Sequence, residues 1–588
     1  MNLLAKFTDI VDVADEVYDN YVATTMHPGN ALFVIALCIS IGGIVGLPLM
    51  VKLGRYFFVT DDGSGSAPLI TSGGKRPSSR QQADDSPPRG GMRSHIGYLW
   101  KVIKFDVEMR RILRLAIPLI CSANILHAAN LVILAIISNY IGTDAMIAFS
   151  MVTLITGVSS SFLMGWIETI DSIGSMAFGA ENYDLTGQYA RASSVCYILC
   201  TIPTGFFWYT IMDKIMLLMG FEDSVANMAR DLVFVYVAYD ALDGLNSGAQ
   251  KFLAVIERET YSNVVYCLEQ VADVALVALF VIKFDATSLK VLVVVMLISR
   301  VVFFLIGNIL IPHKLGWLED FSTGLFGRGP RWSVVKDVLD AALPLAFGQL
   351  LEEAEWEILT MFAAILGPAE AATWATMSFI WDSFESTTGA IGDASEMRVA
   401  YHLGKCRPEM AKLAGYKSMF VAFVMGLFGS AIFLSLDRVL PSLLTKDATI
   451  QQMLLDLFPL IAMSNVSMTV GMVAWTVVGG QGRYDLATKL AIACSFLVTC
   501  PVAGVLTVWM RINLQSLVFA MHLGYILAGM LLCTCVQLSN WEALSIKIQE
   551  QMKDDHDHDS DESSTSSSTS SRPKVEHNAE EEENKKDR

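Results

Sequence analysis

The chain has 588 residues, of which 53% are hydrophobic and only 17% charged, with a formal net charge of −17. A soluble protein of this length carries more charge, so the composition excludes an ordinary soluble enzyme and, with its acidic balance, a nucleic-acid binder. The ten cysteines lie mostly inside apolar runs, Cys121, Cys196, Cys494 and Cys533 among them, which is a packing pattern and not a disulfide framework.

Residues 1–30 are acidic, unlike the basic start of a cleaved signal peptide, and form an extramembrane segment. Apolar runs long enough to cross ~30 Å of hydrocarbon as helices then fall at 31–53, 112–138, 145–172, 189–212, 226–252, 261–281, 289–311, 338–366, 371–399, 413–436, 453–476, 486–509 and 514–538. The fold class expected is therefore an all-α polytopic membrane protein in a lipid bilayer. Its parts read as an extra transmembrane helix at 31–55 and a flexible basic linker at 56–106, then a six-helix N-lobe at 107–312. An inter-lobe linker at 313–336 and a six-helix C-lobe at 337–540 follow, and the Ser-rich acidic tail at 541–588 is too polar to fold. The basic 56–106 segment and alternate loops carrying Arg258, Lys314, Arg331, Lys405, Arg407 and Arg483 are expected in the cytosol. That places the C-terminus in the cytosol and the N-terminus outside or in a lumen.

An internal repeat divides the body. "LAIPLI" at Leu115 returns as "AALPLA" at Ala341, which pairs Pro118 with Pro344, and Gly179 pairs with Gly404 and Asp231 with Asp456, all 225 or 226 residues apart. Each half holds six spans, an even number, so both enter the membrane from the same side. The expected architecture is a twelve-helix body of two parallel six-helix repeats with a substrate site between them.

Several segments carry a resemblance. "DSIGSMAFGA" resembles the segment that closes the second helix of multidrug and toxic compound extrusion (MATE) transporters, and "ASEMRVAYHLG" is similar to its counterpart in the second half. "LPLAFGQLLEEAEWEIL" resembles the seventh-helix pattern of the eukaryotic members, and "GGQGRYDLATKLAI" the loop after their tenth helix. The resemblance covers about 106–541 and implies an alternating-access exporter of small organic solutes, with H+ or Na+ as the coupling ion and no other cofactor.

The acids inside the spans carry the functional expectation. "LLEEAEWEILTM" places Glu352, Glu353, Glu355 and Glu357 within six positions. Each carboxylate at the bilayer centre costs roughly 2.5–3.5 kcal/mol, so four facing lipid would cost on the order of 10 kcal/mol. At ~100° per residue they span just over half the helix, with Trp356 among them as a ring that could receive a cationic ligand. The resemblance implies that Glu352 and Glu357 couple protons or cations, and it assigns nothing to Glu353 and Glu355. Glu168 and Asp171 are repeated as Asp393 and Glu396, each pair three residues apart on one face; a gating role near Arg398 is expected, a helix-end ion pair being the alternative. Asp382 and Glu385 form a third pair of cavity acids. Where many family members have an acid in the tenth helix this chain has Met468; the repeat relates that place to Asp243, which has Asp240 one turn before it. The first-helix aspartate of many bacterial members is missing, with only Asn124, His127 and Asn130 there, and His127 is expected to be a hydrogen-bonded packing residue.

The expected function is a monomeric secondary antiporter that exports organic, cationic solutes or xenobiotics in exchange for protons, from the plasma membrane or a vacuolar or other endomembrane. Sodium coupling is one alternative and a lipid-linked substrate flippase another, although the latter calls for a basic cavity. An intramembrane metal enzyme lacks its HExxH or DDxxD cluster, and a receptor gains nothing from a duplicated cavity. No GxxxxGK[ST] sequence occurs, so ATP is not the direct energy source. Neither a catalytic residue nor a metal site is expected.

Overall fold

The computed structural model describes residues 100–552 apart from 285–287, 328–330, 438 and 446. The expected first span at 31–55, the linker before residue 100 and the tail beyond residue 552 lie outside the described residues.

Twelve long helices make up the described body. They are α1 (Val107–Tyr140), α2 (Thr143–Gly179), α3 (Tyr183–Leu218), α4 (Asp223–Val255), α5 (Glu259–Lys283) and α6 (Leu289–Lys314). The second half holds α7 (Trp332–Leu366), α8 (Pro368–Gly404), α9 (Pro408–Ser435), α10 (Ala448–Gly479), α11 (Tyr484–Trp509) and α12 (Leu514–Leu538). Capping side chains set three of their starts: Asp106 accepts from Met109 N at 3.0 Å, Asn182 from Leu185 N at 3.1 Å, and Asp447 from Thr449 N at 2.7 Å. Gly367 at φ 160° turns the chain into α8, which opens on Pro368 where no N–H is needed. Nine of the twelve are apolar enough to cross a membrane by composition alone. The three that are not, α4, α7 and α8, carry Asp240 and Asp243, the four clustered glutamates, and Asp382, Glu385, Asp393 and Glu396, while Glu168 and Asp171 stand on α2.

The two halves repeat one packing scheme. In the first, α4 packs on α2, α3 and α6, and α1 on α5; in the second, α10 packs on α8, α9 and α12, and α7 on α11. The halves meet where α1 crosses α8 and α2 crosses α7, contacts that exchange when the two lobes are exchanged. One apolar core, including Trp166, Ile167, Val338, Ile391, Val399 and Val477, joins both lobes at the end bearing the α2–α3 and α8–α9 turns. Toward the opposite end the cores separate. One, around Met146, Leu232 and Val293, belongs to the N-lobe alone, and the other, around Trp374, Phe458 and Val518, to the C-lobe alone. The molecule is therefore shut at one end and parted at the other.

Glycine makes the shut end possible. A Cβ on Gly179 would lie 2.1 Å from the carbonyl oxygen of Tyr401, and one on Gly404 would lie 2.0 Å from that of Met176. Only a bare backbone fits at either place, and the contact is reciprocal between the repeats. Both ends of the body also cross over. Buried Lys417 of α9 donates from Nζ to the carbonyls of Lys101 (2.8 Å), Val102 (3.3 Å) and Lys104 (2.8 Å), which ties the segment before α1 to the C-lobe. The start of the expected unfolded tail is instead a helix at 541–552, held because Trp541, Ile548 and Met552 bury in the apolar core, and it reaches the N-lobe, where Asn182 Nδ2 donates to the Met552 carbonyl at 3.3 Å.

Candidate functional site: the inter-lobe cavity

Between the lobes lies a cavity of about 570 Å³. Its wall takes carboxylates from four helices, Glu168 and Asp171 of α2, Asp243 of α4, Glu352 and Glu355 of α7, and Asp393 and Glu396 of α8, with Lys251 of α4 as a cation. Met164, Met397, Met468, Met472, Tyr266, Tyr525 and Trp475 supply apolar and aromatic surface. Asp243 and Met468, related by the repeat, both reach this wall. His127 does too, bonded through Nε2 to Ser386 Oγ across the lobes at 2.5 Å.

Helix α7 sorts its four glutamates. Glu352 and Glu355 line the cavity, and Ser495 Oγ of α11 donates to Glu355. Glu353 accepts from Ser161 Oγ of α2 at 3.4 Å, a bond across the lobes. Glu357 is exposed and lies outside the cavity lining, one turn further along. Asp382 and Glu385 of α8 face this group: the charges that reach Glu352 and Glu385 are carboxylates, Glu168, Glu353, Glu355 and Asp382 among them. The structure thus brings the α7 and α8 acids together with no described lysine or arginine between them. Trp356 is placed differently from the expectation. Its ring packs beside Trp374 (centroids 5.0 Å apart) and Trp381 (6.4 Å), and Trp381 stacks in turn on Tyr525 at 5.6 Å, so Trp356 belongs to the C-lobe core and leaves Tyr525 as the end of the ladder at the cavity.

At the shut end of the cavity the repeated acid pairs meet, as their spacing suggested, but around a cation the sequence reading passed over. Lys251 Nζ bonds Asp171 within the N-lobe and Asp393 across the lobes at 3.3 Å. Arg398, expected beside Asp393 and Glu396, instead grips Glu108 of α1 in a bidentate pair at 2.9 and 2.8 Å, with His402 Nε2 3.1 Å from the same carboxylate. The reason is reach. Arg398 lies a turn and more beyond Asp393 on α8, where α1 begins. The ionic links that tie the lobes therefore include Lys251–Asp393, Arg398–Glu108 and, between the α8–α9 and α2–α3 turns, Lys405–Glu181 at 3.4 Å, while Lys417 of α9 holds Asp106 at the start of α1 at 3.2 Å.

A third group lies inside the N-lobe. Arg300 of α6, fully buried, pairs through Nη1 with Asp243 and with Glu269 of α5 at 3.1 Å, and its Nε is 3.6 Å from Asp273. Tyr239 accepts from Nη2 at 2.7 Å, and Asn246 bonds Glu269 and Asn308. Asp240, the neighbour of Asp243 in sequence, turns aside to Ser160 of α2. Lys251, Glu269, Asp273 and Arg300 were not singled out in the sequence, although the last three stand in the middle of apolar runs and carry the same desolvation cost as the α7 glutamates.

Two helical lobes of parallel repeat, embedded by their apolar surfaces and enclosing a charged cavity, define a membrane transporter. The MatE family model matches residues 118–279 and 344–505, over half of the chain and in register with the repeat, and the chain belongs to that family of multidrug and toxic compound extrusion transporters. It is similar to Protein DETOXIFICATION 11 of Arabidopsis thaliana, at 22% identity over 473 residues, covering 77% of this chain and 92% of that protein. Protein DETOXIFICATION 17 of Arabidopsis thaliana is 24% identical over 456 residues, covering 75% and 92%. Among solved structures, that of the eukaryotic MATE transporter AtDTX14 superposes with a TM-score of 0.66 at 19% identity, covering 78% of this chain and all of that one. A transporter from Pyrococcus furiosus superposes at 0.67 and 17% identity, covering 76% and 98%; its binding pocket is described as of reverse polarity, suggesting a different function. The protein is an integral multi-pass membrane protein of eukaryotic MATE type.

Proposed function

We propose that the protein is a secondary antiporter that exports organic, cationic solutes in exchange for protons, with no enzymatic step. The observation that carries this reading is the group Glu352, Glu353, Glu355, Asp382 and Glu385 of α7 and α8, which meets the cavity through Glu352 and Glu355 and has only carboxylates as charged neighbours. So much uncompensated negative charge in a low-dielectric site must be neutralised by protons or by a cation. The two are mutually exclusive occupants, which is the logic of exchange, and the acids titrate as a set. The cavity volume of about 570 Å³ falls in the range that holds a drug-sized ligand. Its acidic lining speaks against a phosphate-bearing lipid as cargo.

Outward release fits the parted end. With the basic loops inside, the shut end faces the cytosol, and reopening there requires the Lys251–Asp393 and Arg398–Glu108 links to break. The protein acts as a monomer at the plasma membrane or an endomembrane, with its C-terminus in the cytosol. Uptake of a cationic dye into proteoliposomes under an imposed pH gradient, then under a sodium gradient, tests the reading, with E352Q and E357Q beside the wild type. Dye movement driven by sodium alone would reassign the ion, and unchanged movement in both variants would remove α7 from the mechanism.

A further inference from the structure

The chain continues past α12 into a further helix. Asn540 starts it: its carbonyl accepts from Leu544 N at 3.1 Å and its side chain from Ala543 N at 3.2 Å, which opens the helix at 541–552. Trp541, Ser545, Ile548 and Met552 are buried at the spacing of one helical face, while Glu542, Lys547 and Glu550 are exposed. The helix is too short to cross a bilayer, and its charged outer face belongs in water. It lies over the shut end.

Its two ends hold different lobes. The start is fixed in the C-lobe. Ser539 Oγ accepts from Arg483 Nη1 at 3.0 Å and donates to Gln481 Oε1 at 3.1 Å, and a Cβ on Gly415 of α9 would lie 3.5 Å from the Trp541 ring. Ser545 Oγ donates to the Leu403 carbonyl of α8 at 2.9 Å. The far end is on the N-lobe, where Asn182 of the α2–α3 turn holds the Met552 carbonyl. The helix therefore lies across the two turns whose positive-φ residues, Glu181 and Cys406, are equivalent in the repeat. Symmetry does not require this bridge. The equivalent segment of the first repeat, 316–327, stays on its own lobe: Leu318 and Phe321 sink among Phe252, Leu253 and Ile256, and the short helix Ser322–Phe326 packs on α3. A contact between lobes made at one of two equivalent places is an addition to the duplicated body.

We propose that the helix at 541–552 is a strap that holds the shut end closed and sets how readily it opens. The strap stays with the C-lobe through Trp541 and Ser545 and lets go of the N-lobe at Asn182 when the two turns separate. Its hold on the N-lobe is graded for release. A neutral hydrogen bond of this kind shifts an equilibrium by roughly two- to tenfold, enough to favour the closed arrangement and too little to prevent opening. It acts beside the Lys405–Glu181 pair, which joins the same two turns. The proposal rests on the alternation of the lobes in the reading above and is independent of the ion and the cargo.

Asn182 permits a clean test. Its Oδ1 caps α3 and its Nδ2 holds the strap, so N182D keeps the cap and removes the donor. The readout is pulsed electron resonance on the full-length protein in lipid nanodiscs, without substrate. Labels at Asp320→Cys and the native Cys406, both exposed, report the two lobes at the shut end, with the other cysteines replaced by serine. N182D should raise the ratio of long to short distances roughly two- to tenfold, and M552D, which puts a charge where Met552 is buried, should raise it further. Hydrogen exchange at the amides of 549–552 should quicken in N182D. It should also quicken in D393N, which loosens the same end without touching the strap, because coupling is reciprocal. An unchanged distance ratio in N182D would overturn the proposal. So would a D393N protein whose distances lengthen while 549–552 stays as protected as in the wild type. If M552D does not fold, N182D decides. No dye or gradient enters these measurements, so their failure leaves the antiport reading standing, and failure of the dye assay leaves the strap.

Discussion

The link between Lys251 and Asp393 should bias the shut end by a calculable amount. At 3.3 Å and an effective dielectric of 20, two unit charges attract by about 5 kcal/mol before desolvation. The Asp393 side chain is 37% exposed, so water screens the pair, and the net contribution falls to on the order of 1–2 kcal/mol, between the surface and buried cases. Asp393→Asn removes this leg and leaves Lys251 on Asp171, within one lobe. The equilibrium between shut and open should then shift by roughly 5- to 30-fold toward opening at that end, since about 1.4 kcal/mol is a factor of ten. Pulsed electron resonance between spin labels at Glu181→Cys and the native, exposed Cys406, with the other cysteines replaced by serine, reads the separation of the α2–α3 and α8–α9 turns. The Glu181 substitution also removes a contact to Lys405, equally in every sample. Asp393→Asn should enlarge a minor population of longer distances. An unchanged distribution would refute the claim that this ion pair latches the lobes.

Other outcomes follow from the same geometry. Glu352→Gln should lower pH-driven dye transport at least tenfold and more than Glu357→Gln does, because Glu352 lines the cavity and Glu357 does not; equal losses would contradict that division. Glu108→Gln leaves buried Arg398 short of its bidentate partner and should cost about 3–5 kcal/mol, seen as a fall in melting temperature in detergent. A double-mutant cycle with Arg398→Met should recover a large part of that loss. Gly179→Ala and Gly404→Ala should each destabilise the shut end by about 1–3 kcal/mol through overpacking, and near-equal effects on melting are expected because each Cβ meets a carbonyl oxygen of the other lobe.

Some of this arrangement was legible in the sequence and some was not, and the difference is physical. The repeat offset placed Glu168, Asp171, Asp393 and Glu396 at equal depth because equal spacing in two halves of one fold gives equal height in the membrane. The desolvation argument placed a polar face on α7 for the same reason: a carboxylate inside an apolar run has to meet water, protein or a proton. That argument applied equally to Glu269 and Asp273, four apart in one apolar run, and to Arg300 in the next, but their pairing with Arg300 depends on α5 and α6 lying against one another, which no local pattern encodes. Lys251 was hidden differently. It stands near the end of α4, where a lysine looks like an interfacial anchor, and only the crossing of the lobes brings two acids to it. Trp356 shows the opposite error, since helical angle alone put it among the glutamates while Trp374 and Trp381, from the neighbouring helix, claimed its ring. Periodicity along one helix tells which residues cannot face lipid. What they face instead is decided between helices, and in this protein that choice separates two acid groups with cations, around Lys251 and Arg300, from one without. The group lacking a cation is where an incoming cation or proton has no competitor already in place, which is why the exchange is assigned to α7 and α8 and the latch to Lys251.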